Sequence, residues 1–225
     1  MTESGFISAM QVRFAGREVV LLPERAAWLP GVRALCIADV HLGKTGAFRA
    51  AGLPVPAGTT ASDLARLDGL LERLAPAELL ILGDLLHARG GMDDQQADAF
   101  ATLLRRHPGT GFTLVRGNHD RHAGDPPATW PLHVTDGPLY RHGLAFGHEP
   151  EVPAEAPLLA GHLHPVVRLR DFDGSSLRAP AFVAGERRLT LPAFGRFTGG
   201  AVVKPAGGER VYAVLAGRVI AVKGR

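Results

Sequence analysis

Short apolar runs that end in residues able to bind a metal ion recur along the 225-residue chain. Each run has the length and composition of a buried strand. Helical patterns with leucine or alanine on one face separate the first three runs. The polar motifs that follow the runs are Asp39-Val40-His41, Gly83-Asp84, Gly117-Asn118-His119-Asp120, Gly147-His148 and Gly161-His162-Leu163-His164.

The order of these elements predicts an α/β fold. The pattern is β-α-β-α-β as far as Asn118, and after Pro165 the helical signal gives way to short strands. We therefore expect mixed sheets with helices outside and a mostly β C-terminal part, in a single domain spanning residues 1–225. Ligands at the carboxyl ends of successive strands should converge on one edge of the fold.

Two connections carry clear local signals. Residues 43–60, which are rich in glycine and proline, predict a long loop, and loops of this length in compact domains often carry function. Thr60 or Ser62 is expected to cap the helix that follows. Asp93 or Asp94 is expected to begin the next helix.

Composition excludes several classes of protein. Cys36 is the only cysteine, so an intrachain disulfide and a four-cysteine zinc site are impossible, and its apolar neighbours predict a buried strand residue. No apolar run approaches the roughly eighteen residues that a membrane helix needs. The N-terminus lacks the basic and apolar stretches of a signal peptide, so we expect a cytoplasmic location. The net charge of +3 does not by itself indicate a nucleic-acid partner.

As candidate metal ligands the motifs supply two aspartates, Asp39 and Asp84, with one asparagine and four or five histidines, which is enough for two adjacent divalent metals. Oxygen and imidazole ligands suit Mn²⁺, Fe or Zn²⁺ in a hydrolytic site. Asp84 could bridge two metals about 3.5–4 Å apart through its two oxygens. Asn118 offers a neutral carbonyl ligand and His119 an imidazole beside the metals. Asp120 is expected to orient that imidazole.

Taken singly, each motif has an ordinary structural explanation, such as a turn or a solvated histidine. Their joint occurrence in this order favours a metal site. His87 fits either a position behind the metal ligands or one near the substrate. The basic residues Lys44, Arg49 and Arg89 lie close to the motifs and are, with His87, the candidate substrate contacts. The remaining histidines are expected outside the site, and they are His107, His122, His133 and His142.

In order and spacing, the motifs resemble those of the calcineurin-like metallophosphoesterase superfamily over about residues 35–165. The resemblance implies a sandwich of two mixed β-sheets flanked by helices, and a hydrolase of phosphodiester bonds with two divalent metal ions. Mn²⁺ is the expected metal, with Fe or Zn²⁺ as alternatives. The resemblance implies that His119 is the general acid. It assigns one metal to Asp39, His41, Asp84 and His164, and the other to Asp84, Asn118, His148 and His162.

A narrower resemblance extends over about residues 35–200. It concerns the bacterial DNA-ligase-associated metallophosphoesterases, also called ligase-associated DNA damage response endonucleases. The stretches that carry it are DVHLGKTGAFRAAGLPVPAGTT, GDLLHAR, RGNHDRH, GHLHP and LPAFGRFTGG. The resemblance implies a repair-associated nuclease with DNA as a candidate substrate, and a functional association with a DNA ligase and other repair proteins. No membrane partner is expected.

Two other functions stay open. One is a phosphodiesterase of small molecules such as cyclic nucleotides or nucleotide-linked metabolites, and the other is a non-catalytic metal-binding scaffold. The intact ligand set and His119 argue against the scaffold. Aromatic residues make up only 6% of the chain, which weakens the case for single-strand binding by base stacking. The aromatic residues beside arginine near the motifs are Phe48 at Arg49, and Phe194 and Phe197 around Arg196.

Overall fold

The computed structural model describes residues 8–50, 52, 58–170 and 175–222, which form two mixed β-sheets and few helices. The first four strands of the first sheet are antiparallel, and the last four run parallel, with β4 common to both sets. A 3₁₀ turn at Pro30–Val32 joins β3 to β4. In spatial order the sheet contains β1 (Met10–Phe14), β2 (Arg17–Leu22), β3 (Ala26–Leu29), β4 (Ala34–Ile37), β5 (Glu78–Leu82), β6 (Gly111–Val115) and β7 (His133–Thr135).

The second sheet is built from the later part of the chain. Its strands are β8 (Leu139–Arg141), β9 (Leu144–Phe146), β10 (Leu158–Ala160), β11 (Pro165–Arg170), β12 (Ser176–Ala184), β13 (Arg188–Thr190), β14 (Ala201–Val202), β15 (Arg210–Leu215) and β16 (Arg218–Val222). They lie in the order β14-β11-β12-β13-β10-β9-β8, and β15 pairs with β12 and β16. Strands β9, β10 and β13 are parallel to one another, so β9 and β10 point the same way.

The second and third helices pack on the outer face of the first sheet. Leu67 of the second helix and Phe100 of the third share a hydrophobic cluster with Ile81 of β5. The next residue, Leu80, faces the other side and packs with Phe146 of the second sheet. Strand β5 is thus buried on both faces, which explains its continuous apolar sequence. The helices that the structure describes are α1 (Lys44–Ala50), α2 (Thr59–Leu74), α3 (Asp94–Arg106) and α4 (Asn118–Ala123).

The structure confirms the α/β class, the two mixed sheets and the mostly β C-terminal part. Cys36 is buried in β4, as its apolar neighbours predict. Asp93 caps α3, because its side chain accepts a hydrogen bond from the backbone N–H of Gln96. No helix among the described residues is both long and apolar enough to cross a membrane.

The prediction of a continuous loop over residues 43–60 is wrong in its first half, where α1 forms. Glycine there marks a close approach of two backbones, because a Cβ on Gly46 would lie 2.4 Å from the carbonyl oxygen of Gly91. Residues 51 and 53–57 of this stretch lie outside the described residues. The capping prediction is also wrong, since Gly58 in a left-handed conformation precedes α2, without a side-chain cap.

Candidate metal centre

The predicted ligands converge at one edge of the sandwich, where parallel strands of both sheets end. From the first sheet, Asp39 follows β4, Asp84 follows β5 and Asn118 follows β6. From the second sheet, His148 follows β9 and His162 follows β10. Both sheets are therefore needed to assemble the site. The sequence prediction that successive strand ends meet is confirmed in this geometry.

One group of predicted ligands gathers around His41. Its Nε2 lies 3.5 Å from Nε2 of His164 and 3.7 Å from Oδ2 of Asp84. Nε2 of His164 in turn lies 3.2 Å from Oδ1 of Asp39. One ligand atom from each of Asp39, His41 and His164 can be chosen so that all lie within 4.8 Å of one another. Two imidazoles and two carboxylates thus face a common point.

A second group gathers around Nε2 of His148. This nitrogen lies 3.0 Å from Oδ1 of Asn118, 3.1 Å from Nδ1 of His162 and 3.3 Å from Oδ1 of Asp84. The other ring nitrogen, Nδ1, lies 3.0 Å from the carbonyl oxygen of Leu82, to which it donates. A carbonyl partner of this kind fixes the tautomer of a metal-binding histidine. Asp84 belongs to both groups, one oxygen to each.

Burial and the Asp84 carboxylate set the charges in the site. Burial lowers the pKa of His41 to about 2, and the charge of Asp84 opposes this only in part. Burial also lowers the pKa of His148, but the hydrogen bond and charge of Asp84 outweigh it and raise that pKa to about 9. Burial raises the pKa of Asp84, yet the hydrogen bond and charge of His148 lower it to about 2. Asp84 is therefore an anion at neutral pH.

The backbone is strained at the predicted ligands. Positive φ angles, between 43° and 70°, occur at Asp39, His41, Asp84, His162 and His164. Side chains rarely tolerate this conformation, and such strain persists only where the surrounding structure enforces it. Strained residues are common at functional sites, and five of the eleven described non-glycine residues with positive φ lie at this edge, while the other six lie elsewhere. No sequence pattern indicates this feature, because aspartate and histidine are not residues that require a left-handed turn.

The glycines beside the predicted ligands allow side chains from other motifs to approach the backbone closely. A Cβ on Gly117 would lie 2.2 Å from Oδ1 of Asp84, and a Cβ on Gly83 would lie 2.2 Å from Nδ1 of His148. Both glycines therefore leave room for a ligand from another motif. The association of glycine with the ligands in the sequence reflects packing between strand ends.

The structure does not agree with the prediction that the carboxylate of Asp120 orients the imidazole of His119. The carboxylate of Asp120 accepts hydrogen bonds from the backbone N–H groups of Leu86 and Gly117, at 2.8 and 2.9 Å. Nδ1 of His119 instead donates to the carbonyl oxygen of His87 at 2.8 Å. Since Asp120 is buried at the start of α4, its oxygens satisfy the backbone of two strand-end loops. Asp120 thus positions the loops and does not contact the imidazole.

His87, which the sequence left open, lies against His119 and close to His41. Its ring stacks on that of His119 with centroids 5.0 Å apart, and its Nδ1 lies 3.3 Å from Nδ1 of His41. Burial lowers the pKa of His87 to about 4, with smaller contributions from the charges of Lys44 and His119. Burial likewise lowers the pKa of Lys44, against the charges of Asp84 and Asp39. Lys44 is therefore close enough to sense the charges of the site.

The other candidate contacts are less clearly placed at the site. Arg89 is exposed, and its guanidinium lies near Gly124 at the end of α4. The side chain of Arg49 lies outside the part of the chain that the structure describes. Two of the histidines that were expected elsewhere have other partners, His107 at Asp68 and His142 at Glu78.

Sequence reasoning missed a charged cluster beside the site. Asp63 of α2 is buried, and its Oδ1 forms an ion pair with Arg66 at 2.9 Å. Its Oδ2 accepts a hydrogen bond from the backbone N–H of Arg196 at 3.0 Å. The sequence signal that could have revealed this contact is a carboxylate within the otherwise apolar buried face of α2.

The donor set fits divalent metal ions. Clustered buried carboxylates repel one another unless cations balance them. Carboxylate, amide and imidazole donors match Mn²⁺, Fe or Zn²⁺, and no described thiol competes, because Cys36 lies within β4. Among the residues that the structure describes, three groups of side chains could hold an ion, namely Asp39-His41-His164, Asp39-Asp84-His148 and His41-His87-His119.

The fold and this edge define a class of protein, the metal-dependent phosphoesterases. A model of the calcineurin-like phosphoesterases matches residues 32–184, more than half of the chain, and the chain belongs to this family. The family uses a dinuclear site for divalent metals, for which the clusters of aspartate and histidine provide ligands. A search of curated proteins found no match.

Solved structures give a further comparison. The crystal structure of the Pseudomonas putida nuclease MPE is 41% identical, with a TM-score of 0.83, over 95% of this chain and all of that one. The protein of unknown function AQ665 from Aquifex aeolicus is 18% identical, with a TM-score of 0.39, over 57% of this chain and 77% of that one. The phosphoesterase Yfce from E. coli is 19% identical, with a TM-score of 0.37, over 81% of this chain and 88% of that one.

Proposed function

We propose that residues 1–225 form a single-domain phosphodiesterase that holds two Mn²⁺ ions and cleaves DNA in the cytoplasm. The observation that carries the proposal is the division of the Asp84 carboxylate between two groups of ligands, with Oδ2 toward His41 and Oδ1 toward His148. The Pseudomonas putida protein, which shares 41% of its sequence with this chain over its full length, is a nuclease. That relationship supports a nucleic-acid substrate.

The proposal assigns a set of ligands to each ion. Asp84 would contribute one oxygen to each ion and so offset the repulsion between them. Asn118 is a neutral ligand, so the bridging charge comes from Asp84. The first ion would be held by Asp39, His41, Asp84 and His164, and the second by Asp84, Asn118, His148 and His162.

The chain's own residues supply the proton that the leaving group needs. Bound divalent ions neutralise charge on phosphate oxygens and lower the pKa of water. His119 donates its Nδ1 proton to the carbonyl oxygen of His87, so Nε2 is the ring nitrogen able to transfer a proton. Protonated at both nitrogens, His119 would give the Nε2 proton to the leaving oxygen. Stacking of His87 against the ring keeps it in this orientation.

Lys44 is the best-supported of the candidate substrate contacts. It is half-buried, and the charges of Asp84 and Asp39 act on it, so its ammonium group lies where it could meet a phosphate. Association with a DNA ligase and other repair proteins is part of the proposal and follows from the narrower family resemblance. His87, Arg49 and Arg89 remain proposed contacts.

The proposal is tested by substrate range. Purified protein loaded with Mn²⁺ is assayed on a nitrophenyl monoester, a nitrophenyl diester, cyclic nucleotides, and single-stranded, nicked and gapped DNA. We expect diesters to be preferred over monoesters and DNA to be cleaved. Asp84→Asn should remove the activity, and Asp98→Asn, the same change at an exposed position of α3, should retain it.

Each alternative predicts a different result. Hydrolysis of cyclic or nucleotide-linked diesters without cleavage of DNA would identify a small-molecule phosphodiesterase. Metal binding without hydrolysis of any substrate would identify a scaffold. Turnover of the monoester well above that of the diester would contradict the proposed reaction.

A further inference from the structure

Two phenylalanine rings extend the row of aromatic side chains that begins at His119. The ring of Phe48 on α1 lies 6.2 Å from that of His87, which itself stacks on His119. The ring of Phe197, which follows β13, meets Phe48 edge-on with centroids 5.5 Å apart and an interplanar angle of 82°. The row therefore runs from His119, the proposed general acid, through His87 to Phe48 on α1 and then to Phe197 in the segment 193–198.

Core packing does not account for these two rings. Both are half-buried, and neither Phe48 nor Phe197 belongs to any hydrophobic cluster found among the described residues. Phe194, three residues before Phe197, is fully buried in the cluster below the first sheet's helices. The two phenylalanines of one short segment thus have different surroundings, and only one of them serves the core.

The segment that carries Phe197 is fixed against the predicted ligands. The backbone N–H of Gly195 donates to the carbonyl oxygen of Asp39 at 3.0 Å, and the N–H of Arg196 donates to Asp63 at 3.0 Å. The guanidinium of Arg66 pairs with Asp63 and lies 4.2 Å above the Phe194 ring. A ring held in place in advance loses little entropy when a ligand stacks on it.

Positive charge surrounds the pair. The ammonium of Lys44 lies 5.9 Å from the centroid of Phe48, and the side chain of Arg196, next to Phe197, is about half exposed. The nearby carboxylate, Asp63, pairs with both Arg66 and Arg196, at 2.9 and 3.8 Å, so it balances one of the two guanidinium charges. Accessible aromatic faces between cationic groups are the arrangement by which proteins hold unpaired nucleotides, with rings for bases and cations for phosphates.

We propose that Phe48 and Phe197 form a stacking subsite for the base of the nucleotide that adjoins the scissile phosphate, with Lys44 holding the phosphate of that nucleotide. The inference rests on the proposed function and names the part of the substrate that is read beyond the phosphodiester itself. The subsite accepts any base, because every base presents a flat π-face. The base must be unstacked from its neighbours to enter.

A cycle of substitutions tests the subsite. The substrates are a single-stranded oligothymidylate and an oligomer of the same length in which every base is absent. Removal of the bases should lower kcat/KM of the unaltered protein by about 5- to 150-fold, the range that one stacked base contributes. Phe48→Leu and Phe197→Leu should each lower kcat/KM on the oligothymidylate and have little further effect on the base-free oligomer. Phe197→Tyr should retain most of the kcat/KM that Phe197→Leu loses, because tyrosine keeps an aromatic ring.

Matched controls separate stacking from damage to the fold. Tyr140→Leu removes an exposed aromatic ring on β8, away from the row, and should leave both substrates unaffected. Manganese content should be the same in all variants. If either leucine variant fails to fold, the other still carries the test, since Phe48 and Phe197 lie on different segments.

The outcomes distinguish the subsite from the proposed function. Equal losses on the two substrates in both leucine variants would overturn the subsite while leaving DNA cleavage intact. An unaltered protein that cleaves the base-free oligomer as well as the oligothymidylate would also overturn it. If the unaltered, manganese-loaded protein cleaves no DNA, the proposed function fails and the subsite fails with it.

Discussion

Nε2 of His148 lies 3.3 Å from Oδ1 of Asp84, in a contact that joins the end of β9 in the second sheet to the end of β5 in the first. The other oxygen of the same carboxylate faces His41. One buried side chain thus ties together two sheets and two groups of predicted ligands. Removal of the Asp84 carboxylate should therefore affect metal binding more than any substitution at the rim of the site.

Asp84→Asn should abolish hydrolysis and reduce the manganese content of the purified protein from two ions per chain. A neutral amide cannot balance two divalent cations, and it offers one oxygen in place of two. Metal analysis and activity on a nitrophenyl diester measure the effect. Asp98→Asn is the matched control, and full manganese content with full activity in Asp84→Asn would rule out the bridging role.

His119→Ala should lower the turnover of a nucleotide diester by about 10²- to 10⁴-fold, the usual contribution of a general acid. It should lower the turnover of a nitrophenyl diester much less, because nitrophenolate leaves without a proton. The manganese content should be unchanged, since Asn118 is the proposed ligand in that motif. Steady-state kinetics on both substrates measure the difference. Equal losses on the two substrates, or loss of metal, would remove the acid role from His119.

Asp120→Asn should lower the free energy of unfolding by about 1–3 kcal/mol, the cost of leaving a buried polar group unsatisfied. The carboxylate accepts from Leu86 and Gly117, and an amide would turn its own NH₂ toward one of these two N–H groups. Denaturant unfolding measures the loss. Stability equal to that of the unaltered protein would show that these hydrogen bonds contribute little.

Gly117→Ala should reduce metal binding, because the new Cβ would lie 2.2 Å from Oδ1 of Asp84 and displace the carboxylate. Gly69→Ala is the matched control. Gly69 lies on the exposed side of α2 with no atom within 4 Å of the added Cβ, and alanine should stabilise the helix by about 0.5–1 kcal/mol. Manganese titration of both variants gives the comparison. Unchanged affinity in Gly117→Ala would show that the strand ends can separate without cost.

Cys36 should react with a thiol reagent only after unfolding. Its side chain is fully buried in β4, and burial, with a smaller effect of Glu78, raises its pKa far above neutrality. A thiolate is the reactive form, so the native protein should show no labelling over the time of the assay. Labelling in native buffer would indicate local opening of the first sheet. The same measurement reports whether each variant above is folded.

The sequence was sufficient for the strands that deliver ligands, because strands buried on both faces have continuous apolar sequences that are easy to identify. Strand β5 is an example, with Leu80 on one face and Ile81 on the other. It was not sufficient for α1, because the glycine- and proline-rich composition of residues 43–60 indicates a loop. Gly46 lets the backbone of that helix pack directly on Gly91, which lies 45 residues further along the chain, and composition does not show this contact.

The motifs by themselves indicated the types of donor at the candidate site, oxygen and imidazole, because residue types are given directly by the sequence. Only the tertiary structure decided which atoms meet. It placed Asp84 between His41 and His148, gave His119 the carbonyl of His87 as its partner in place of Asp120, and brought Phe197 against Phe48. The physical reason is that residue types are local information. Which donor faces which acceptor depends on the packing of two sheets whose strands are far apart in the sequence.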